Sequence, residues 1–265
     1  MRIADRVFVV SGAGSGIGRE VVRDLLGRGA RVAAVDLNEP GLQQLAGEMR
    51  AGDRLSTHAL NVTDAAAVAL LPDVVVAAHG TVDGLLSIAG IIQPFEPVTA
   101  LPRDVAERVM NVNFWGTYNL DTAFLPLLVQ RPEASLLNVA SMGALAPVPG
   151  QGVYGASKAA VKLLTECLYA ELRDSHVAVT LVIPGGVGTN ITANSGVEAP
   201  KLAAGGKAPK VTAADDAARQ IVEAVEKGSF RVLIGSDARM LDRLARVSPV
   251  RAITTIADRM KALLG

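Results

Sequence analysis

Tyr154-Gly155-Ala156-Ser157-Lys158 sets a phenol and a primary amine four residues apart, and on a helix that spacing places both on one face. A phenol is a poor base at neutral pH, because its ordinary pKa is about 10. Bringing it to neutrality means favouring the phenolate by about 3 units, or roughly 4 kcal/mol. One ammonium about 4 Å away, at an effective dielectric of about 20, supplies an amount of that size. Such a pair can pass a proton to or from a bound hydroxyl or carbonyl. The same spacing also occurs on ordinary amphipathic helices with a solvated lysine, so the pair needs support from the rest of the chain.

That support begins near the N-terminus. Ser11-Gly12-Ala13-Gly14-Ser15-Gly16-Ile17-Gly18 lies between a β-branched run and an apolar helical stripe. Glycines there let the backbone turn tightly and approach a pyrophosphate, whose charge meets the helix N-terminus. The spacing is G-x-x-x-G-x-G at Gly12, Gly16 and Gly18; G-x-G-x-x-G does not fit, since position 17 is Ile. Asp36 closes the next strand. A carboxylate at that point can hold an adenosine ribose and repel a 2′-phosphate. Leu37 follows it and no Arg or Lys interrupts the glycine turn, which favours NAD over NADP.

The elements that must position these groups alternate. Strands are expected at Val7–Val10, Arg31–Val35, Leu55–Leu60, Val82–Ile88, Ala134–Ala140, Val177–Ile183 and Phe230–Ile234. Helices fall between them, at Gly16–Leu26, Pro40–Met49, Asp64–Ala78, a long stretch Asp104–Leu128, Val153–Arg173 and Ala213–Glu226. Strands that are apolar throughout are buried on both faces, so the fold class is α/β: a doubly wound, parallel seven-stranded Rossmann sheet between helical layers. Residues 1–265 read as one domain without repeats or linkers.

Composition narrows the function. Half of the 265 residues are apolar, and 26 Lys+Arg balance 26 Asp+Glu, so no charge excess recruits nucleic acid. A lone cysteine, Cys167, excludes an internal disulfide. His58, His79 and His176 lack ligand spacing, so no metal is expected. No leader pattern and no membrane-spanning run is apparent, which makes the cytoplasm the expected location.

Taken together, these motifs resemble the short-chain dehydrogenase/reductase family, in its compact, single-domain, NAD-dependent branch, over nearly the whole chain. Asn113 in Asn111-Val112-Asn113-Phe114-Trp115-Gly116-Thr117 looks like the family's active-site asparagine. Ser141 in Asn138-Val139-Ala140-Ser141-Met142-Gly143 looks like its catalytic serine, and Tyr154 and Lys158 match its central pair. Pro184-Gly185-Gly186-Val187-Gly188-Thr189 resembles the segment that touches the nicotinamide end. The resemblance implies NAD bound by Gly12, Ser15, Gly16, Ile17, Gly18, Asp36, Leu37, Asn61, Val62, Ala89, Gly90, Tyr154, Lys158, Pro184, Gly185, Val187 and Thr189. It implies Tyr154 as acid–base, Lys158 lowering the phenol pKa, Ser141 on the substrate oxygen, and Asn113 holding a water beside Lys158. It also implies a homotetramer or dimer packed through the long helices after strands four and five.

Two departures stand out. Asn61 replaces the family's Asp beside the adenine, where an amide can still pair with the adenine amino group. Ser87-Ile88-Ala89-Gly90 replaces Asn-Asn-Ala-Gly, which puts sheet-stabilising hydrogen bonds in question.

The small-molecule substrate is expected to be apolar, a steroid, terpenoid or fatty chain, against Ile92, Met142, Val148, Val153 and Ile191. Residues 189–210, with Gly196, Pro200, Gly205, Gly206 and Pro209, read as a mobile lid. From Arg231 onward seven Lys+Arg face three Asp+Glu. Leu241, Leu244, Ile253, Ile256, Met260, Leu263 and Leu264 suggest a C-terminal extension, 236–265, of helical pieces interrupted at Pro249. Its basic surface suits solvent and subunit packing, an anionic substrate or a membrane. Two alternatives stay open: a 3-oxo reductase of acyl thioesters, and a non-catalytic NAD-sensing protein on the same fold.

Overall fold

The computed structural model describes residues 1–198 and 211–264. In order its elements are β1 (Val7–Ser11), α1 (Gly16–Gly27), β2 (Arg31–Asp36), α2 (Glu39–Met49), β3 (Leu55–Ala59), α3 (Ala65–His79), β4 (Gly84–Ser87), α4 (Arg103–Met110), α5 (Gly116–Leu128), β5 (Ala134–Val139), α6 (Gly152–Glu171), β6 (Val177–Pro184), β7 (Val187–Gly188), α7 (Ile191–Asn194), β8 (Thr212–Ala213), α8 (Ala214–Lys227), β9 (Arg231–Ile234), α9 (Ser236–Val247) and α10 (Pro249–Leu264). Seven strands form one sheet in the order β3-β2-β1-β4-β5-β6-β9, every pair parallel. β7 and β8 make a separate two-residue pairing. This is the expected single-domain Rossmann architecture.

Burial on both faces explains the apolar strands. Successive strand side chains point to opposite sides. Phe8 and Val10 therefore pack with α1 and α8, through Val21, Leu25, Ile221 and Val225. Val7 and Val9 pack with α3, α5 and α6, through Val68, Leu120, Phe124 and Leu168. The strand order reverses between β1 and β4, and the ends of these strands open the crevice in which such sheets take ligands.

Asp104–Leu128 is not one α-helix. A π-helical segment, Asn111–Trp115, separates α4 from α5. A wider turn of this kind reorients one side chain within a helix, and here that side chain is Asn113. The C-terminal pieces do break at Pro249, where α9 ends and α10 begins. The expected lid lies outside the described residues from 199 to 210, as do the side chains of Leu263 and Leu264.

Candidate active site

Gly12 opens the site. It sits at φ +73°, and a Cβ there would stand 2.9 Å from the Ala89 amide nitrogen. Only glycine lets the β1 turn lie this close to the segment after β4. A Cβ on Gly18 would meet the Gly12 carbonyl at 2.1 Å, so α1 can begin directly beneath the turn. Ser15, the residue before α1, makes no side-chain cap. The first amides of α1 are therefore open, a ready site for an anion.

Around this turn runs a cleft of about 520 Å³. Of the seventeen cofactor positions expected above, Gly12, Ser15, Gly16, Ile17, Gly18, Asp36, Leu37, Asn61, Val62, Ala89, Gly90, Tyr154, Lys158, Pro184, Val187 and Thr189 line it. Gly185 does not. Its amide donates to the Ile234 carbonyl at 2.8 Å, which turns it toward the sheet. Asp36 lies against the turn, its carboxylate accepting from the Gly14 and Asn38 amides at 2.9 and 2.8 Å. Lys158 is the only cation lining the cleft among the described residues. The open helix terminus, the close-packed glycine turn and the cleft's length fit a dinucleotide.

At the other end Ser141, Tyr154 and Lys158 share the same wall. Ser141 leaves β5 in extended conformation, and its Oγ accepts from the Gly143 amide at 3.1 Å. Its hydroxyl also reaches the Tyr154 phenol, favouring the charged form. Burial acts the other way and dominates, so the phenol lies above its ordinary pKa. The expected lowering by Lys158 is thus not found. Burial pulls the Lys158 amine down to about 8, and its Nζ donates to the Val139 carbonyl at 3.0 Å rather than to the phenol.

Asn113 is fixed by its side chain. Its Oδ1 accepts from the Ile91 amide at 2.8 Å, while Nδ2 donates to the Ile91 carbonyl and to Ser157 Oγ, both at 2.9 Å. The side chain clamps the segment after β4 onto α6. Asn61 is likewise committed, since its Oδ1 accepts from the Thr63 amide and hydroxyl.

The expected substrate wall divides between this cleft and its surroundings. Ile191 lines the cleft, whereas Ile92, Met142, Val148 and Val153 do not. Ile92 is buried and its amide donates to Ser195 Oγ at 3.0 Å. Met142 and Val148 pack against Leu241, Ala252 and Ile256 of the C-terminal helices, a contact too distant in sequence to foresee. Ile88, Ile91, Val112, Val139 and Ala140 supply apolar lining instead.

Residues missed in the sequence do much of the positioning. Buried Gln93 accepts from the Tyr154 amide at 2.9 Å through Oε1, capping the first turn of α6, and donates to the Gly150 carbonyl at 3.0 Å. Gln151 Nε2 donates to the Gln93 carbonyl at 2.8 Å. Asn194 of α7 donates to Ser15 Oγ at 2.8 Å across the glycine turn. None carries a local signal, because each bond joins distant segments.

The missing asparagines after β4 are compensated. Ser11 Oγ accepts from the Ile88 and Ala89 amides at 3.0 and 3.2 Å. Beneath, buried Asp121 accepts from Asn138 Nδ2 at 2.8 Å, and Ser87 approaches its carboxyl without a well-aligned hydrogen bond. Burial pushes the Asp121 pKa up to about 7. His58 and His79 also come together: both ring Nε2 atoms lie on Ser56 Oγ, at 2.8 and 2.7 Å. No group of three metal-ligating side chains occurs among the described residues, and no helix there is long and apolar enough to cross a membrane.

Known proteins share this arrangement. SadH of Mycobacterium tuberculosis, named as an oxidoreductase, is 34% identical over 91% of this chain and 90% of its own. The 1-deoxy-11-beta-hydroxypentalenate dehydrogenase of Streptomyces exfoliatus is 32% identical over 91% and 86%. A short-chain dehydrogenase/reductase from Burkholderia phymatum in complex with NAD superposes with a TM-score of 0.85 at 26% identity, over 96% of this chain and 97% of that one. One from Burkholderia cenocepacia in complex with NADP gives 0.81 at 27% identity, over 97% and 99%. Likeness to solved structures therefore spans both cofactors and does not by itself select the NAD branch. With the short chain dehydrogenase family matched over residues 6–199, the chain belongs to that family of oxidoreductases, which move hydride between a nicotinamide cofactor and an alcohol or ketone.

Proposed function

We propose that this protein is an NAD-dependent dehydrogenase of apolar secondary alcohols, with Asn113, Ser141, Tyr154 and Lys158 as its working set. The observation that carries the reading is the convergence of Tyr154, Ser141 and Lys158 on the same cleft as the glycine turn. NAD, when bound, supplies the hydride acceptor. The chain's own residues handle the proton and the substrate oxygen. Ser141 orients that oxygen and donates to developing negative charge. Tyr154 takes the hydroxyl proton on oxidation and returns it on reduction. Lys158, with one proton held by the Val139 carbonyl, has further donors for the nicotinamide ribose. The positive charge of an oxidised nicotinamide would favour phenolate and so offset the burial that raises the Tyr154 pKa. Asn113 acts through Ile91 and Ser157, as a positioning residue for this end of the cleft.

NAD over NADP rests on Asp36, whose carboxylate faces the ribose position with no cation beside it to receive a 2′-phosphate. The apolar substrate rests on Ile91, Val139, Ala140 and Ile191, and on the relative named for a hydroxypentalenate. The segment 189–210 serves as the lid, and its described part already reaches the turn through Asn194 and Ser15. A homodimer or tetramer is supported by exposed Trp115, Tyr118, Leu163 and Tyr169 along the α5–α6 side. The direct test is NAD reduction, followed by nicotinamide absorbance, across a panel of secondary alcohols. Turnover confined to polyols would refute the apolar pocket, and none with any alcohol or ketone would refute the enzyme.

A further inference from the structure

The inner faces of α9 and α10 are committed: Ala238, Leu241, Ala252 and Ile256 are buried, and Leu244, Ala245 and Met260 pack with that cluster. The outer face is different. Val247 is 85% and Val250 71% exposed at the elbow between the helices, with Met240 and Ile253 exposed about two turns and one turn further along. Met240, Leu244 and Val247 floor an open groove along α9 whose rim carries Arg239 and Arg243. Around them Arg239, Arg243, Arg246, Arg251, Arg259 and Lys261 are exposed, against Asp258 as the one exposed acid of the two helices' described side chains. The other acids are engaged. Asp242 is buried between Arg231 and Arg246, and Asp237 accepts from the Gly186 amide at 2.7 Å. In a chain of zero net charge this is a local concentration of cations.

A protein interface keeps charge out of its apolar centre. Here guanidinium groups are interleaved with the apolar tip, the pattern by which a helix lies on anionic lipid: apolar side chains enter the head-group boundary and long cationic ones snorkel to phosphates. We propose that the α9–α10 elbow docks reversibly on an anionic phospholipid surface, through Met240, Val247, Val250 and Ile253 with Arg239, Arg243 and Arg251. The proposal does not depend on the redox reading.

The test is co-sedimentation of the full chain with vesicles of phosphatidylcholine alone or with about a third phosphatidylglycerol. Binding is expected on the anionic vesicles only, falling as salt rises. Arg239→Glu with Arg243→Glu should weaken it at least about tenfold, since each cation near the surface adds attraction. Val247→Ser with Val250→Ser should weaken it too, with thermal melting and cofactor binding unchanged in both. No binding to anionic vesicles, equal binding to both kinds, or undiminished binding by the charge-reversed variant would overturn the proposal. So would loss of a dimer, without lipid, in the Val247→Ser, Val250→Ser variant, which would assign this face to a second copy.

Discussion

Asp121→Asn isolates a large electrostatic cost inside the fold. The native carboxyl titrates at about 7 against an ordinary 3.8, because burial disfavours its charge more than Asn138 and Ser87 favour it. The unfolded chain therefore gives up this proton first as pH rises. Between the two values the native state binds more protons, so stability falls with rising pH across that window and levels off above 7. At 1.36 kcal/mol per unit, the full gap from 3.8 to about 7 corresponds to about 4 kcal/mol. Between pH 5 and pH 8 about 2 units of it operate, or roughly 3 kcal/mol. An asparagine keeps an oxygen for Asn138 Nδ2 and has no proton to lose. Chemical denaturation of both proteins at the two pH values removes every other titrating group from the comparison. The stability of Asp121→Asn relative to the parent should rise by roughly 3 kcal/mol from pH 5 to pH 8. A difference that is the same at both pH values would refute the account, and would mean that Asp121 stays ionised in its buried site.

Tyr154→Phe should cut turnover by about 10³-fold while cofactor affinity, read by fluorescence titration, changes little; retained activity would remove Tyr154 from the chemistry. Asp36→Ser with Leu37→Arg should move the NAD/NADP preference, as kcat/KM, by at least about tenfold toward NADP, because a repelling carboxylate is exchanged for a phosphate partner; a parent that uses both cofactors equally would sink that argument. Gln93→Leu should leave the Tyr154 amide unpaired and lower the melting temperature, at about 1–3 kcal/mol, with kcat falling more than cofactor affinity. His58 and His79 both lie below their ordinary pKa through burial. Their charging should therefore destabilise the fold as pH falls below about 6.5, and His79→Gln should flatten that part of a thermal-melt profile.

The strands, most helices, the glycine turn and the Tyr154–Lys158 pair were legible in the chain because each is written locally, in apolar periodicity, in glycine spacing or in a four-residue interval. Asp36 was legible for a related reason: it sits at a strand end, and parallel strand ends converge at one edge of the sheet; Ser141 was legible only through the family resemblance of its motif. What tertiary structure alone decided is the set of bonds between segments far apart in sequence. Gln93 caps the helix of Tyr154 from 61 residues away, Asn113 is aimed by a π turn inside an apparently unbroken helix, and Met142 and Val148 are claimed by α9 and α10 rather than by the cleft. The phenol's pKa belongs here too. Spacing set an amine on the same helix face, but burial, which no local pattern encodes, set the sign of the shift.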